Sequence, residues 1–146
     1  MTDLFGGDEM VTAVCIDDRN GMTLFGKRQS RDREVVRDFV RLCRKKGGRV
    51  LIAPFSSVLF TRYKVITDDN LLENAGKKDF CFIENKDILP YAEKIEKLVV
   101  YKWNRDYPSD VQFTMPEGFV LSQSVDFEGY SHEKITRLIY VKEGKG

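Results

Sequence analysis

The chain has 146 residues, of which 42% are hydrophobic and 32% charged, and its formal net charge is +1. These values are ordinary for one globular domain with a core of its own. No apolar run approaches the roughly 18 residues of a membrane-spanning helix, and the start of the chain carries no secretion signal. We therefore expect a cytoplasmic protein without membrane contact, with a loose arm at 1–9 and a single domain at 10–146.

Apolar runs and turn residues alternate along the chain in a pattern that predicts strands and helices in turn. Residues 10–16 form a β-branched apolar run typical of a central strand, and the turn signal Asn20-Gly21 leads into a polar loop that reaches about residue 30. Further strands are predicted at 49–53, 80–83, 97–101, 111–113, 119–121 and 135–141. A short helix or a turn is predicted at 56–63, a short helix is predicted at 69–76, and a helix is predicted through 92–95.

Residues 33–46 carry the clearest helical pattern. Apolar side chains recur at helical spacing on one face, and arginines recur on the opposite face. Ser30 or Asp32 can cap the start of this helix, and Gly47 can end it. The apolar face consists of Val35, Val36, Phe39, Val40, Leu42 and Cys43.

Strands that alternate with helices and then give way to an all-β C-terminal part describe an α/β protein. We expect a mostly parallel central sheet, flanking helices and an antiparallel C-terminal hairpin. The runs at 11–16, 50–53, 80–83 and 98–101 should lie together in that sheet.

The chain resembles dihydrofolate reductase over nearly its whole length. AVCIDDRNGM is similar to the family's first strand and the start of its active-site loop, and KKGGRVLIAPFSSVLF is similar to its second strand and following turn. DFCFIENKDILPYAEKIEKLVVYKW matches the cofactor-side strand, the helix and the next strand without a gap. NRDYPSDVQFTMPEGFVLSQSV and SHEKITRLIYVK are similar to the closing hairpin. The resemblance implies a single-domain dihydrofolate reductase-like fold.

The resemblance fails where the reductases hold NADPH. In place of the family's consecutive glycines the chain has Glu84-Asn85-Lys86, whose side chains fill the space that a pyrophosphate needs, and Glu84 adds repulsion of order 1 kcal/mol. In place of a Gly-Arg pair and a hydroxyl residue it has Ala53-Pro54-Phe55-Ser56, which keeps only the hydroxyl. The loop at 25–30 lacks the family's Pro-Trp pair. We therefore expect no cofactor and no NADPH-dependent reductase activity.

One position of the family's substrate site is kept, because Asp32 falls where the reductases have their substrate-binding carboxylate. Asp32 is therefore a candidate catalytic group that would hydrogen-bond a pterin-like or other cationic heterocycle. The alternative interpretation is an N-cap that satisfies free N–H groups of the helix at 33–46. The other residues expected in the ligand cleft are Ser56, Glu84, Asn85 and Tyr101.

The charge of the chain is unevenly distributed. Between Lys27 and Arg49 lie ten basic and three acidic residues, a net charge of +7, so the remainder carries −6. Such a basic stripe can follow a phosphate backbone or an acidic protein surface, and the alternative is a solvated helix face. Few aromatic residues lie among these charges, so base stacking is not indicated. The candidate face comprises Arg28, Arg31, Arg33, Arg37, Arg41 and Arg44.

Histidine and cysteine offer little sign of metal or catalytic chemistry. His132 is the single histidine, and its neighbours predict an exposed residue of a hairpin turn rather than a general acid or base. A two-zinc hydrolase of the ribonuclease Z type needs an HxHxDH run and further histidines, so it is not expected. Cys15, Cys43 and Cys81 lie in separate apolar segments, which predicts buried free thiols and no metal site.

The sequence is compatible with three classes of function. The first is a binding module that uses the former cleft or the basic face. The second is an enzyme that acts on a different small molecule with Asp32. The third is a nucleic-acid-associated protein that uses the helix at 33–46.

Overall fold

The computed structural model describes residues 10–143, so the arm expected at 1–9 lies outside the described residues. The strands are β1 Val11–Ile16, β2 Gly21–Leu24, β3 Lys27–Arg28, β4 Arg49–Ile52, β5 Ile66–Thr67, β6 Asp79–Ile83, β7 Lys97–Lys102, β8 Val111–Gln112, β9 Phe119–Phe127 and β10 Ile135–Lys142. The α-helices are α1 Arg33–Lys45 and α2 Leu71–Asn74, and short 3-10 helices cover Pro54–Leu59 and Leu89–Tyr91.

Seven strands form one sheet in the order β5-β4-β6-β1-β7-β10-β9. The first five of these are parallel, while β10 pairs antiparallel with both β7 and β9. The predicted α/β class, the mostly parallel sheet and the antiparallel C-terminal hairpin are therefore confirmed. The four predicted parallel runs lie in this one sheet.

Alternation along the central strands divides the core between the two faces of the sheet. Val11, Ala13 and Cys15 of β1 face α1, whose apolar side packs on them. Val14 and Ile16 face the opposite side, where Leu71 and Leu72 of α2 are buried. The three cysteines are free and buried, as expected, and burial raises the pKa of Cys43 to about 11 and that of Cys81 to about 12.

Two predicted segments differ from the structure. The polar loop before residue 30 contains β2 and β3, which form a second, small sheet with β8. The helix predicted through 92–95 is absent, and Leu89–Tyr91 forms a single 3-10 helix instead. This connection is short, and it must return to the start of β7, where the N–H groups of Glu96 and Lys97 both bond to the carbonyl of Met10. Helical periodicity in the sequence did not reveal that constraint.

Within the described residues, no helix is long and apolar enough to cross a membrane.

Phe39 joins α1 to the sheet, and it provides a test of the core. Its ring is 0% exposed and lies 5.3 Å from the ring of Phe82 and 6.0 Å from that of Phe80, between centroids. We expect Phe39→Ala to lower the free energy of unfolding by about 3–5 kcal/mol, because it removes buried area and leaves a cavity. Arg41→Ala, on the exposed face of the same helix, should change it by less than about 0.5 kcal/mol. Urea unfolding of both variants measures the difference, and equal losses would contradict this orientation of α1.

Candidate functional site

Asp32 lies immediately before α1 and caps it. The residue has extended backbone geometry, with φ −152°, and its Oδ1 accepts a hydrogen bond of 2.9 Å from the backbone N–H of Glu34. This is the geometry of an N-cap, in which a short acidic side chain satisfies a free N–H of the first turn. The cap interpretation of Asp32 is therefore confirmed.

The same carboxylate also accepts hydrogen bonds from the loop between β9 and β10. The backbone N–H of Tyr130 bonds to Oδ1 at 2.8 Å, and that of Ser131 bonds to Oδ2 at 2.8 Å. His132 Nδ1 lies 3.0 Å from Oδ2. A carboxylate offers about four acceptor sites, so these bonds and the helix cap occupy Asp32 fully. Its side chain is 0% exposed.

These bonds set the protonation state of Asp32. Burial by itself raises the pKa of a carboxyl group, but the hydrogen bonds from Tyr130, His132, Glu34 and Ser131 outweigh it here. The pKa of Asp32 is consequently below its ordinary value. Asp32 is thus an ionised, buried group that the protein's own donors hold in place.

The prediction of an exposed hairpin histidine was wrong, because His132 is 3% exposed and lies at the centre of this site. Its Nε2 is 3.1 Å from Ser30 Oγ and 3.0 Å from the hydroxyl of Tyr107. The imidazole stacks on the ring of Trp103, with 4.8 Å between centroids. The chain leaves strand geometry before residue 132, so strand alternation did not apply to it.

Gly129 allows the loop to approach Asp32. A Cβ atom at this position would lie 2.6 Å from Asp32 Oδ2 and 2.7 Å from the carbonyl oxygen of His132. Neither distance is compatible with a side chain. The glycine is the one local signal in the sequence that the loop packs tightly against another group.

The prediction of Tyr101 as a cleft residue was wrong. Its side chain is 0% exposed, and it points from β7 toward α1, where its hydroxyl donates a hydrogen bond of 2.6 Å to Asp38 Oδ2. Arg137 Nη1 bonds to Asp38 Oδ1 at 2.8 Å on the same side. Burial and the Asp38 charge raise the pKa of Tyr101. The residue belongs to a buried polar cluster that attaches α1 to β7 and β10.

At the end of β6, Glu84 forms a buried cluster with Ser56 and Arg28. Ser56 Oγ donates to Glu84 Oε1 at 2.7 Å, and Arg28 binds both carboxylate oxygens, at 2.8 and 2.9 Å. Arg28 also donates to the carbonyl of Phe55 and lies over its ring. Ser56 and Glu84 were both expected in the cleft, and the structure brings them into contact. Arg28 was assigned to the basic face, and the structure instead places it in this pair.

Asn85 is exposed and lines a small cavity of about 200 Å³ beside this cluster. Asp69, Glu84 and Lys86 line the same cavity.

A larger cleft, of about 400 Å³, opens beside Asp32 at the start of α1. The guanidinium group of Arg33 covers the ring of Tyr130 at 3.6 Å. The cleft therefore combines apolar and cationic side chains with the carboxylate of Asp32. It is lined by Arg31, Asp32, Arg33, Val36, Val58, Leu59, Tyr130 and Ser131.

Arg33, Arg37, Arg41 and Arg44 are all exposed on the outer face of α1. Arg37 lies 3.7 Å from Glu34 of the same helix. Within the part of the chain that the structure describes, no carboxylate from outside α1 pairs with these four arginines. Arg31 is also exposed, just before the helix.

No group of three or more histidine, cysteine or acidic side chains in residues 10–143 has the arrangement of a metal site.

Comparison with solved structures places this architecture among known folds. The chain is similar to a dihydrofolate reductase from Enterococcus faecalis that was solved with NADP(H) and RAB-propyl. The TM-score is 0.62 at 10% sequence identity, over 91% of this chain and 96% of that one. The chain therefore has a dihydrofolate reductase-like fold, as the resemblance implied. No protein-family model and no curated protein sequence matches the chain.

Substitution of Gly129 tests the close packing at Asp32. We expect Gly129→Ala to lower the free energy of unfolding by about 1–3 kcal/mol, because the loop must move away from the carboxylate that it binds. Gly76→Ala is the matched control, since a Cβ there meets its nearest atom at 3.9 Å. Thermal and urea unfolding provide the measurement. A neutral Gly129→Ala variant would show that the loop does not depend on this contact.

Proposed function

We propose that this protein is a non-reductase binding module that engages the phosphate backbone of a nucleic acid through the outer face of α1. The observation that carries the proposal is the inward direction of the acidic side chains of this segment. The Asp32 carboxylate is hydrogen-bonded to the β9–β10 loop. Asp38 is only 14% exposed and is bound to Arg137 and Tyr101. Only Glu34 remains beside the arginines.

This arrangement makes the outer face more positive than the sequence alone suggests. Four guanidinium groups follow one another along a helix in which four residues span about 6 Å. Like charges at this spacing destabilise a helix by a few tenths of a kcal/mol per pair, so solubility alone does not account for them. Single-sign charge repeated along the helix suits sequence-independent phosphate contacts, which favours a nucleic acid over an acidic protein. Arg33 and Arg44 also lie over the rings of Tyr130 and Tyr63.

The positive surface continues past the end of the helix. A cavity of about 360 Å³ there is lined by Arg44, Arg49 and Lys64, although Arg49 shares its charge with Asp79 at 2.9 Å. The three buried free thiols support a reducing, cytoplasmic location for such a protein.

The absence of reductase activity is the second part of the proposal. The Glu84 carboxylate takes up the donors of Ser56 and Arg28, beside the turn where the reductases hold a pyrophosphate. Separating this pair would leave the buried Glu84 carboxylate unpaired, and a phosphate would have to offset that cost. The acceptors of Asp32 are taken up in the same way by groups of the protein, so a pterin would have to displace the β9–β10 loop.

A second candidate function is the binding or conversion of a small molecule in the 400 Å³ cleft beside Asp32. The cationic side chains Arg31 and Arg33 beside apolar side chains favour a small anionic organic molecule. In this case Asp32 would position the cleft walls rather than contact the ligand.

NADPH titration tests the absence of a cofactor site. We expect no saturable change in nicotinamide fluorescence up to millimolar protein, because the Glu84 carboxylate already binds Arg28 beside the turn where the reductases hold a pyrophosphate. A dihydrofolate reductase that binds NADPH serves as the positive control. Saturable binding at low micromolar concentration, or reduction of dihydrofolate, would overturn this part of the proposal.

Charge reversal on α1 tests nucleic-acid binding. We expect the protein to bind heparin and single- or double-stranded nucleic acid at low salt, with an affinity that falls as salt rises. Changing Arg37 and Arg41 together to Glu should abolish binding while leaving the fold intact, because both side chains are exposed. Fluorescence anisotropy across a salt series measures the affinity and its slope.

The matched control reverses two charges elsewhere. Lys86→Glu with Arg105→Glu makes the same change in net charge on loops at the ends of β6 and β7, and it should preserve most of the binding. Equal loss in both double variants would indicate a general charge effect. Failure of the wild-type protein to bind at low salt would exclude the nucleic-acid proposal, and binding to an acidic protein surface alone would redirect it.

A further inference from the structure

Ser30, His132 and Asp32 lie in hydrogen-bonding sequence in the three-dimensional structure. Ser30 Oγ is 3.1 Å from His132 Nε2, and His132 Nδ1 is 3.0 Å from Asp32 Oδ2. These distances match those of a nucleophile, a general base and the group that orients the base. We propose that Ser30 is a nucleophile activated by His132 and Asp32, and that this site hydrolyses small carboxylic esters.

Ser30, His132 and Asp32 form a hydrogen-bonded relay. The partners of His132 determine which nitrogen of its ring carries the proton. An ionised carboxylate only accepts hydrogen bonds, so His132 Nδ1 carries a proton and donates a hydrogen bond to Asp32. The single lone pair of Nε2 is then available to the hydroxyl of Ser30, and the Tyr107 hydroxyl beside it donates to Ser30 Oγ at 3.4 Å. Asp32 is a positioning residue in this arrangement, because it touches the imidazole and not the substrate.

The surroundings hold these groups in place. The imidazole is stacked on Trp103 at 4.8 Å, and His132 and Asp32 are both buried. Asp17 accepts a hydrogen bond from the backbone N–H of Tyr107 at 3.0 Å and another from Gln29, the neighbour of Ser30, at 3.2 Å. Ser30 is partly exposed, whereas His132 and Asp32 are buried.

Ester hydrolysis at this site requires only Ser30, His132 and one water molecule. As Ser30 Oγ bonds to the ester carbonyl carbon, its proton passes to His132 Nε2 and the carbonyl π electrons move to oxygen. The carbonyl re-forms as the alcohol leaves, and the leaving oxygen takes the proton from Nε2. Water then gives a proton to Nε2 and attacks the acyl carbon, and Ser30 leaves with that proton as the carboxylic acid is released.

Tyr107 supplies the donor for the developing oxyanion. Its hydroxyl is 3.4 Å from Ser30 Oγ and 3.0 Å from His132 Nε2. When Ser30 Oγ bonds to the acyl carbon, the Tyr107 hydroxyl that donated to Ser30 can donate to the carbonyl oxygen instead. A single side-chain donor provides modest stabilisation, so we infer ester substrates with good leaving groups rather than amides.

The test uses the whole protein with p-nitrophenyl acetate and with a fluorophosphonate probe. Mass spectrometry of the intact protein and of its peptides should show acetyl or phosphonyl modification of Ser30. Ser30→Ala should abolish the modification, and Ser124→Ala, which alters an exposed serine of β9, should preserve it.

Two further variants separate catalysis from folding. His132→Gln should lower the acylation rate roughly 100-fold, as expected for loss of a general base, and Tyr107→Phe should lower it roughly tenfold or more, as for a lost oxyanion donor. Circular dichroism and thermal unfolding establish that each variant is folded. If His132→Gln does not fold, Ser30→Ala and Tyr107→Phe decide the outcome.

An unmodified Ser30 in the wild-type protein, or equal reactivity of Ser30→Ala, would overturn the proposal and leave the relay as a structural contact. Nucleic-acid binding by α1 is independent of this result, because Ser30→Ala leaves the exposed arginines unchanged.

Discussion

The carboxylate of Asp32 is the group on which the rest of this site depends. It joins the start of α1 to a loop about one hundred residues later in the chain, through hydrogen bonds from Glu34, Tyr130, Ser131 and His132. A buried ionised carboxylate is tolerated only when its acceptor sites are filled, so the loop must close over the helix start. Burial of His132 follows from that closure, as does its contact with Trp103.

A second buried carboxylate lies at the end of β6. Glu84 holds Arg28 and Ser56 at the end of β6, so a charge of the chain itself occupies these donors. In both places the buried carboxylate is satisfied by other groups of the protein. This internal hydrogen bonding is the physical basis for proposing a dihydrofolate reductase-like fold without NADPH-dependent chemistry.

The same internal bonding determines which surfaces remain for function. Because Asp32 and Asp38 point inward, the outer face of α1 presents arginines with little compensation. Because His132 is bound to Asp32 through Nδ1, its other nitrogen is directed to Ser30. The proposed nucleic-acid surface and the proposed esterase site are therefore separate consequences of how the acidic side chains of one segment are buried.

The sequence by itself determined the elements whose signals are local. The helical spacing of Val36, Phe39 and Val40 predicted α1, β-branched runs predicted the central strands, and Asp32 was recognisable as a cap from its position. Only the tertiary structure decided the partners of Glu84, Tyr101 and His132, since these contacts join residues about 56, 63 and 100 positions apart. Periodicity describes which face of an element is apolar, but it carries no information on which distant group a polar side chain meets. The burial of His132 and the pairing of Arg28 with Glu84 arise only when folding brings distant segments of the chain together.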